Sequence, residues 1–408
     1  MTFRSFLAAG LGLLTILGTN ARAQGAAQPD TAYDPVRELV GRLDLEKYKA
    51  TIAGLAKFGD RRQGTKRNRD AVDWIEAQLR SYGCQNIERV TYQYVPAPPA
   101  QRGGGRGNVA SPNGRGRAGN GPGGSRIFSD MRERGVNNDS LAQPDPAIRA
   151  INTEPTTPGE RQEVICMKVG ATHPEEMYIV GGHMDGIGWG QAANDDASGS
   201  AIVMELARIF SMPDVKTDRS IRFALWNNEE TGLNGAKAYV EQRAPMQGKE
   251  SPAGSGTYPE PKWLGMIQHD MMLVDHGPPT PDGKLALEQR AEADINIEFA
   301  ITSKKADEAM KMAFFWHVAN NRYATHYPAT VGPHMSNTDS DPFKDIVPSL
   351  SLRENERGSQ IGGNWDPTHH QPTDVLTTFT DKDYMLGLTS AQTTLGAVGQ
   401  LTGATIRK

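Results

Sequence analysis

The sequence predicts an α/β fold of three layers, α/β/α, with a mixed, mainly parallel central sheet between helices. Two observations carry this. Short apolar runs of strand length alternate along the chain with longer stretches whose apolar residues recur at helical spacing. Acidic and histidine residues recur in the loops after those runs, where open α/β sheets present their functional groups. With 408 residues, 37% of them hydrophobic and 23% charged, the chain can bury a globular core rather than stay disordered.

Residues 1–23 read as a signal peptide. Arg4 supplies a small positive region, residues 6–17 an apolar core too short to span a membrane, and Ala21-Arg22-Ala23 a small-x-small cleavage site. No later stretch is long and apolar enough to cross a bilayer. Residues 24–408 are therefore expected to form one exported domain, periplasmic or extracellular, or held at the surface if the anchor stays uncleaved.

Residues 33–56 carry apolar positions at helical spacing. Residues 67–82 form an amphipathic helix with Ala71, Val72, Trp74, Ile75 and Leu79 on one face, ended by Gly83. A strand is predicted at 87–95. Residues 96–125 are a low-complexity insert rich in Gly and Arg, with almost no large apolar residue to bury. In an exported chain of net charge −4 they read as a solvated loop rather than a nucleic-acid tail. Strands follow at 163–169, 177–182, 221–226, 264–268, 296–302 and 347–352. Helices follow at 197–212, 234–243, 303–318 and 381–401. Cys84 and Cys166 are too few for a disulfide scaffold; they form one bridge or two buried thiols, and the sequence favours the thiols.

The chemistry concentrates in a few loops. His183 and Asp185 follow the apolar run at 177–180, and Asp195 precedes the helix at 197. Glu229 and Glu230 follow IRFALW, Asp270 follows LGMIQ, and His370 lies in THHQPTD. Carboxylates and imidazoles together suit zinc or, less selectively, manganese or cobalt. The set exceeds the three protein ligands of one catalytic zinc and fits a metal pair about 3.5–4 Å apart, bridged by one carboxylate.

GGHMDG, NDDASG, NNEETGLNGA, QHDMM and HHQPTD resemble, in order, the metal motifs of the dizinc aminopeptidases, the co-catalytic zinc exopeptidases that include bacterial leucyl aminopeptidase and yeast aminopeptidase Y. KFGDRRQGTKRN resembles the opening segment of that family. The resemblance implies a zinc-exopeptidase-like fold, two zinc ions (with manganese or cobalt as substitutes) and peptide substrates. It makes Asp195 the bridging carboxylate, His183 and Asp270 the ligands of one metal, and Glu230 and His370 the ligands of the other. It makes Glu229 the general base that takes a proton from the bridging water, and Asp185 the carboxylate that orients the His183 imidazole. His370, rather than His369, keeps the family spacing to Pro372 and Asp374. Ser340 stands where the family often has a histidine that is not a ligand.

The function implied is removal of N-terminal residues from peptides. Carboxypeptidase or dipeptidase action, a glutaminyl cyclase and a non-catalytic peptidase-like binding protein are the alternatives. The spacing between motifs is too short for a large inserted protease-associated domain. His269 should face the other side of its strand from Asp270, and Asp196 should cap the helix after it. Gly186, Gly188 and Gly190 lack nucleotide-loop spacing and read as a flexible loop. Neither a GxSxG elbow nor an HExxH helix is present.

Overall fold

In the computed structural model, residues 33–96, 135–277, 279–291, 293–335, 337–354 and 366–407 are described. The expected signal peptide and almost all of the Gly/Arg-rich insert lie outside them. Three helices open the fold: α1 (Pro35–Val40), α2 (Leu45–Ala56) and α3 (Lys66–Ser81). The stretch read as one helix, 33–56, is split because Asp44 caps α2, its carboxylate accepting from Lys47 N at 3.1 Å. Strand β1 (Gln85–Tyr94), helix α4 (Pro146–Ile151) and strands β2 (Gly159–Lys168) and β3 (His173–His183) follow. Next come α5 (Ala197–Phe210), β4 (Val215–Lys216), β5 (Arg219–Trp226), α6 (Asn234–Arg243), β6 (Lys262–His269) and β7 (Ile295–Phe299). The chain closes with α7 (Ala306–Tyr323), β8 (Ala329–Gly332), β9 (Ser349–Arg353), α8 (Asp381–Leu401) and β10 (Thr405–Ile406). The strand β8 and the helix α4 went unseen in the sequence. They span four and six residues, too few to display a period.

Eight strands form one sheet in the order β1-β2-β5-β3-β6-β9-β7-β8. Its centre, β5-β3-β6-β9, is parallel; β1, β2 and β7 pair antiparallel to their inner neighbours. The sheet is mixed and mainly parallel at its centre, as predicted. Alternation along the strands divides the apolar side chains between two cores. Val180, Ile221, Phe223, Leu225 and Ile267 pack under α2, α5, α7 and α8. Ile179, Ala224, Trp226 and Met266 face α6, where Tyr239, Trp263 and Phe343 enclose Trp226 with ring centroids 5.2–6.1 Å apart. In α5 every residue except Arg208 is buried, because it lies between the sheet, α2 and α8. Gly199 on α5 permits that closeness to the strand ends. A Cβ there would stand 2.3 Å from His269 O and 2.5 Å from Asp196 Oδ1.

The two cysteines are bridged, correcting the expectation of free thiols: Cys84 and Cys166 form a disulfide with a Cα–Cα distance of 6.0 Å. Cys84 follows α3 and Cys166 lies on β2, so the bridge pins the opening helices to the sheet. Sequence could not show this, because 82 positions separate the pair.

Closing a loop of that length limits the unfolded chain and contributes about 4 kcal/mol on chain-entropy grounds, a large part of an ordinary domain's 5–15 kcal/mol. Cys84→Ser with Cys166→Ser is expected to lower the urea midpoint of unfolding, and dithiothreitol to do the same to wild type. A midpoint unmoved by both would show that the bridge does not form in solution.

Candidate metal centre

The residues that sequence singled out converge at one end of the parallel strands. His183 is the last residue of β3. Glu229 and Glu230 follow β5, and Asp270 follows β6. Asp195 stands just before α5, and His370 arrives on the loop ahead of α8. The two oxygens of Asp195 face different partners. Its Oδ1 lies 3.2 Å from His183 Nε2, and its Oδ2 lies 3.1 Å from His370 Nε2. His183 Nε2 is also 3.8 Å from Asp270 Oδ1, and His370 Nε2 is 2.8 Å from Glu230 Oε2. His369, passed over in the sequence reading, also reaches Asp195 Oδ2, at 3.4 Å.

Two donor sets have the compactness a metal ion needs. They are His183, Glu229 and Asp270, and Asp195, His369 and His370, the ligand atoms within each set lying within 4.8 Å of one another. They open onto a cavity of about 140 Å³ that Gly232 and Asn337 also line. Three of the donors are almost wholly buried: His183 is 1% exposed, Asp195 and Asp270 4% each.

So many buried acids need compensation. Burial, with Asp195 close by, pushes the Glu230 carboxyl up to about 7 against the pull of His370. Burial raises Glu229 strongly as well. Burial opposes ionisation of Asp195, but His183 and His370 outweigh it and hold the carboxyl well below its ordinary range. Burial lowers the His370 imidazole, but Glu230 and Asp195 outweigh it and push the group up to about 11. Among the described residues, buried Glu230 Oε1 has no hydrogen-bond partner. Imidazoles set against carboxylates, beside an orphaned carboxylate oxygen, are a donor set that divalent zinc fits.

A second set of contacts positions these groups. Asp196 caps α5 as predicted, accepting from Gly199 N at 2.8 Å. It also accepts from His183 N at 3.0 Å and Met271 N at 3.2 Å. Asp374 accepts from Asn194 N at 2.7 Å and Asp195 N at 3.1 Å. Arg353, at the end of β9, holds Asp270 Oδ2 at 2.9 Å. Burial would raise the Asp270 carboxyl, but Arg353 and His183 together outweigh it and keep it below the usual range. Arg61, fully buried, donates to Met184 O at 2.7 Å and to Gln191 O and Ala192 O at 2.8 Å, clamping the floor of the site.

Asp185 differs from the expectation. His183 Nδ1 donates to the main-chain oxygen of Asp185 at 3.0 Å, while the carboxylate stands 3.9 Å away and accepts instead from Glu229 N at 3.0 Å. The ring is still fixed with Nε2 toward Asp195 and Asp270, but the carboxylate secures the Glu229 loop. His269 faces away from the site, as its strand position requires, and meets Thr394 Oγ1 at 2.8 Å. Burial pushes it down to about 4, so it is neutral. Arg353 gave no sequence signal, because its partner Asp270 lies on a different strand. Arg61 and Asp374 were inside quoted motifs, but their contacts needed the fold.

Residues 163–387, more than half of the chain, match peptidase family M28. An aminopeptidase of Pseudomonas aeruginosa is 34% identical over 134 residues, which are 31% of this chain and 23% of that protein. Carboxypeptidase Q of Xenopus laevis is 38% identical over 73 residues, 18% of this chain and 16% of that protein. The chain thus matches less than a quarter of the length of these relatives. Among solved structures, an aminopeptidase from Aneurinibacillus sp. strain AM-1 superimposes with a TM-score of 0.57 at 18% identity, covering 91% of this chain and 96% of that one. Porphyromonas gingivalis glutaminyl cyclase does so with a TM-score of 0.53 at 13% identity, covering 88% and 98%. At such identities the structures share the fold alone. The ordered motifs, the strand-end placement of their side chains and the family match agree, and the chain belongs to peptidase family M28.

Proposed function

We propose that this chain is an exported exopeptidase that removes N-terminal residues from peptides, working with two zinc ions. The observation that carries the reading is Asp195, whose two carboxylate oxygens face separate imidazoles, as a bridging ligand would. His183 and Asp270 would hold one zinc, Glu230 and His370 the other, and Asp195 both. Two bound zinc ions would lower the pKa of a water toward neutral and polarise the scissile carbonyl.

Glu229 supplies the proton transfers. Its main chain is held by Asp185 while its neighbour Glu230 turns toward His370, so adjacent acids serve different ends. Asn228, at φ 66°, turns the chain just before the pair. The Glu229 carboxylate takes a proton from the attacking water and delivers it to the departing amine. Among the described residues, no lysine or arginine lines the cavity to receive a C-terminal carboxylate. That favours a free amine at the cleaved end over carboxypeptidase action, despite the local similarity to carboxypeptidase Q. Export is supported by the residues 1–23 reading and by the disulfide, which persists in oxidising compartments. Among the described residues no helix is long and apolar enough to cross a membrane.

Hydrolysis of free-amine dipeptides and of N-acetylated copies, with and without chelator, separates the readings. Wild type is expected to cleave only the free-amine series, to lose activity with chelator, and to lose about 10²–10⁴-fold in kcat on Glu229→Gln. Longer peptides then separate an aminopeptidase from a dipeptidase. Cleavage of the acetylated series would establish a carboxypeptidase; no turnover with two metals bound would favour a cyclase or a binding protein.

Metal content tests the bridge by itself. Asp195→Asn is expected to reduce bound zinc from two per chain to fewer than one, measured by plasma mass spectrometry after dialysis. Retention of both ions would remove Asp195 from the bridging role.

A further inference from the structure

We infer that His369 is also a metal ligand, so that the two metal positions differ: one has two imidazoles, the other has one. This rests on the two-metal reading above. Consecutive side chains on an extended backbone point to opposite sides. Here they do not, because His370 has a φ of 56°. That left-handed turn brings both imidazoles to one side, with ring centroids 3.8 Å apart and planes at 38°. Both Nε2 atoms then aim at the same oxygen, Asp195 Oδ2, from 3.4 Å for His369 and 3.1 Å for His370.

The surroundings are shaped to keep this turn. A Cβ on Gly188 would lie 2.2 Å from His370 C and 2.3 Å from His370 O. The glycine loop that sequence read as flexible is a cradle that admits the histidine turn to the site. Gln143 Nε2 ties the two segments together, donating to Trp189 O at 2.8 Å and Pro372 O at 2.9 Å. His369 lines the same cavity as the other ligands, and its side chain is 11% exposed against 19% for His370. The less accessible imidazole of the pair is thus the one that the family spacing omits.

The donor chemistry gives the consequence. The position at His369, His370, Glu230 and Asp195 is rich in nitrogen and suits zinc. The position at His183, Asp270 and Asp195 is richer in oxygen and accepts manganese more readily. The two positions are therefore expected to bind zinc with different affinities, the two-histidine position the more tightly.

The test is metal titration of apo-protein, with X-ray absorption to count imidazoles on zinc. It uses wild type, His369→Ala and His369→Phe; the Phe variant keeps a ring beside His370 but removes the nitrogen. Wild type loaded with two zinc ions is expected to show three imidazoles per pair and both variants two. One of the two affinities should fall by at least about tenfold, the cost of even an outer-shell change at a metal site. If wild type binds two ions with two imidazoles per pair, and His369→Phe binds both as tightly, His369 only packs against its neighbour and the inference is overturned. If wild type binds fewer than two ions, the paired-metal reading fails and this inference fails with it.

Discussion

Buried Asp196 is the constraint on which the site depends. Its carboxylate collects three main-chain N–H groups, from His183, Gly199 and Met271. Each belongs to a different piece of the fold: the end of β3, the start of α5 and the loop after β6. His183 is itself a ligand candidate, and Met271 and Asp196 adjoin two more, Asp270 and Asp195. One side chain thus sets the spacing of three donors without facing the cavity. Burial strongly raises the Asp196 carboxyl, and the nearby His183 and the hydrogen bond from Gly199 N counter that only in part.

Around this tie the fold places cations where acids would otherwise be left alone. Arg353 meets Asp270 beneath the site, and Arg67 meets Asp60 at 2.7 Å beside the Arg61 clamp. Removing one member of such a buried pair costs more than the pair contributes, because the other charge is left stranded. The site is therefore supported by contacts outside its own ligands. The glycines at 188 and 199 serve the same end, since each admits main chain to a distance that any side chain would forbid.

Fold and site are arranged on one axis. The parallel centre of the sheet points its strand ends at the cavity. Its antiparallel edges and the Cys84–Cys166 bridge stabilise the flank away from the chemistry. Several buried acids, Asp195, Glu230 and Asp270 among them, are gathered at this end of the strands beside His183 and His370. Carboxylates and imidazoles accumulated in one buried cluster mark a candidate ion site.

The sequence alone determined the strand–helix alternation, the strand-end loops and the residue types in them. These are local properties, written in periods of 2 and 3.6 and in motifs a few residues long. Helices 234–243 and 381–401 have the predicted bounds; a Thr380–Asp383 capping box starts the second, whereas the first begins without a side-chain cap. Contacts between distant residues were decided by tertiary structure. The cysteine bridge joins residues 82 apart, Arg353 meets Asp270 across neighbouring strands, and the Asp185 carboxylate turns to Glu229 N instead of His183. His369 shows the division most clearly. Spacing selects its neighbour His370, and only the left-handed backbone at 370 brings both rings to the same carboxylate oxygen. A dihedral angle set by packing against Gly188 leaves no trace in the spacing of a motif.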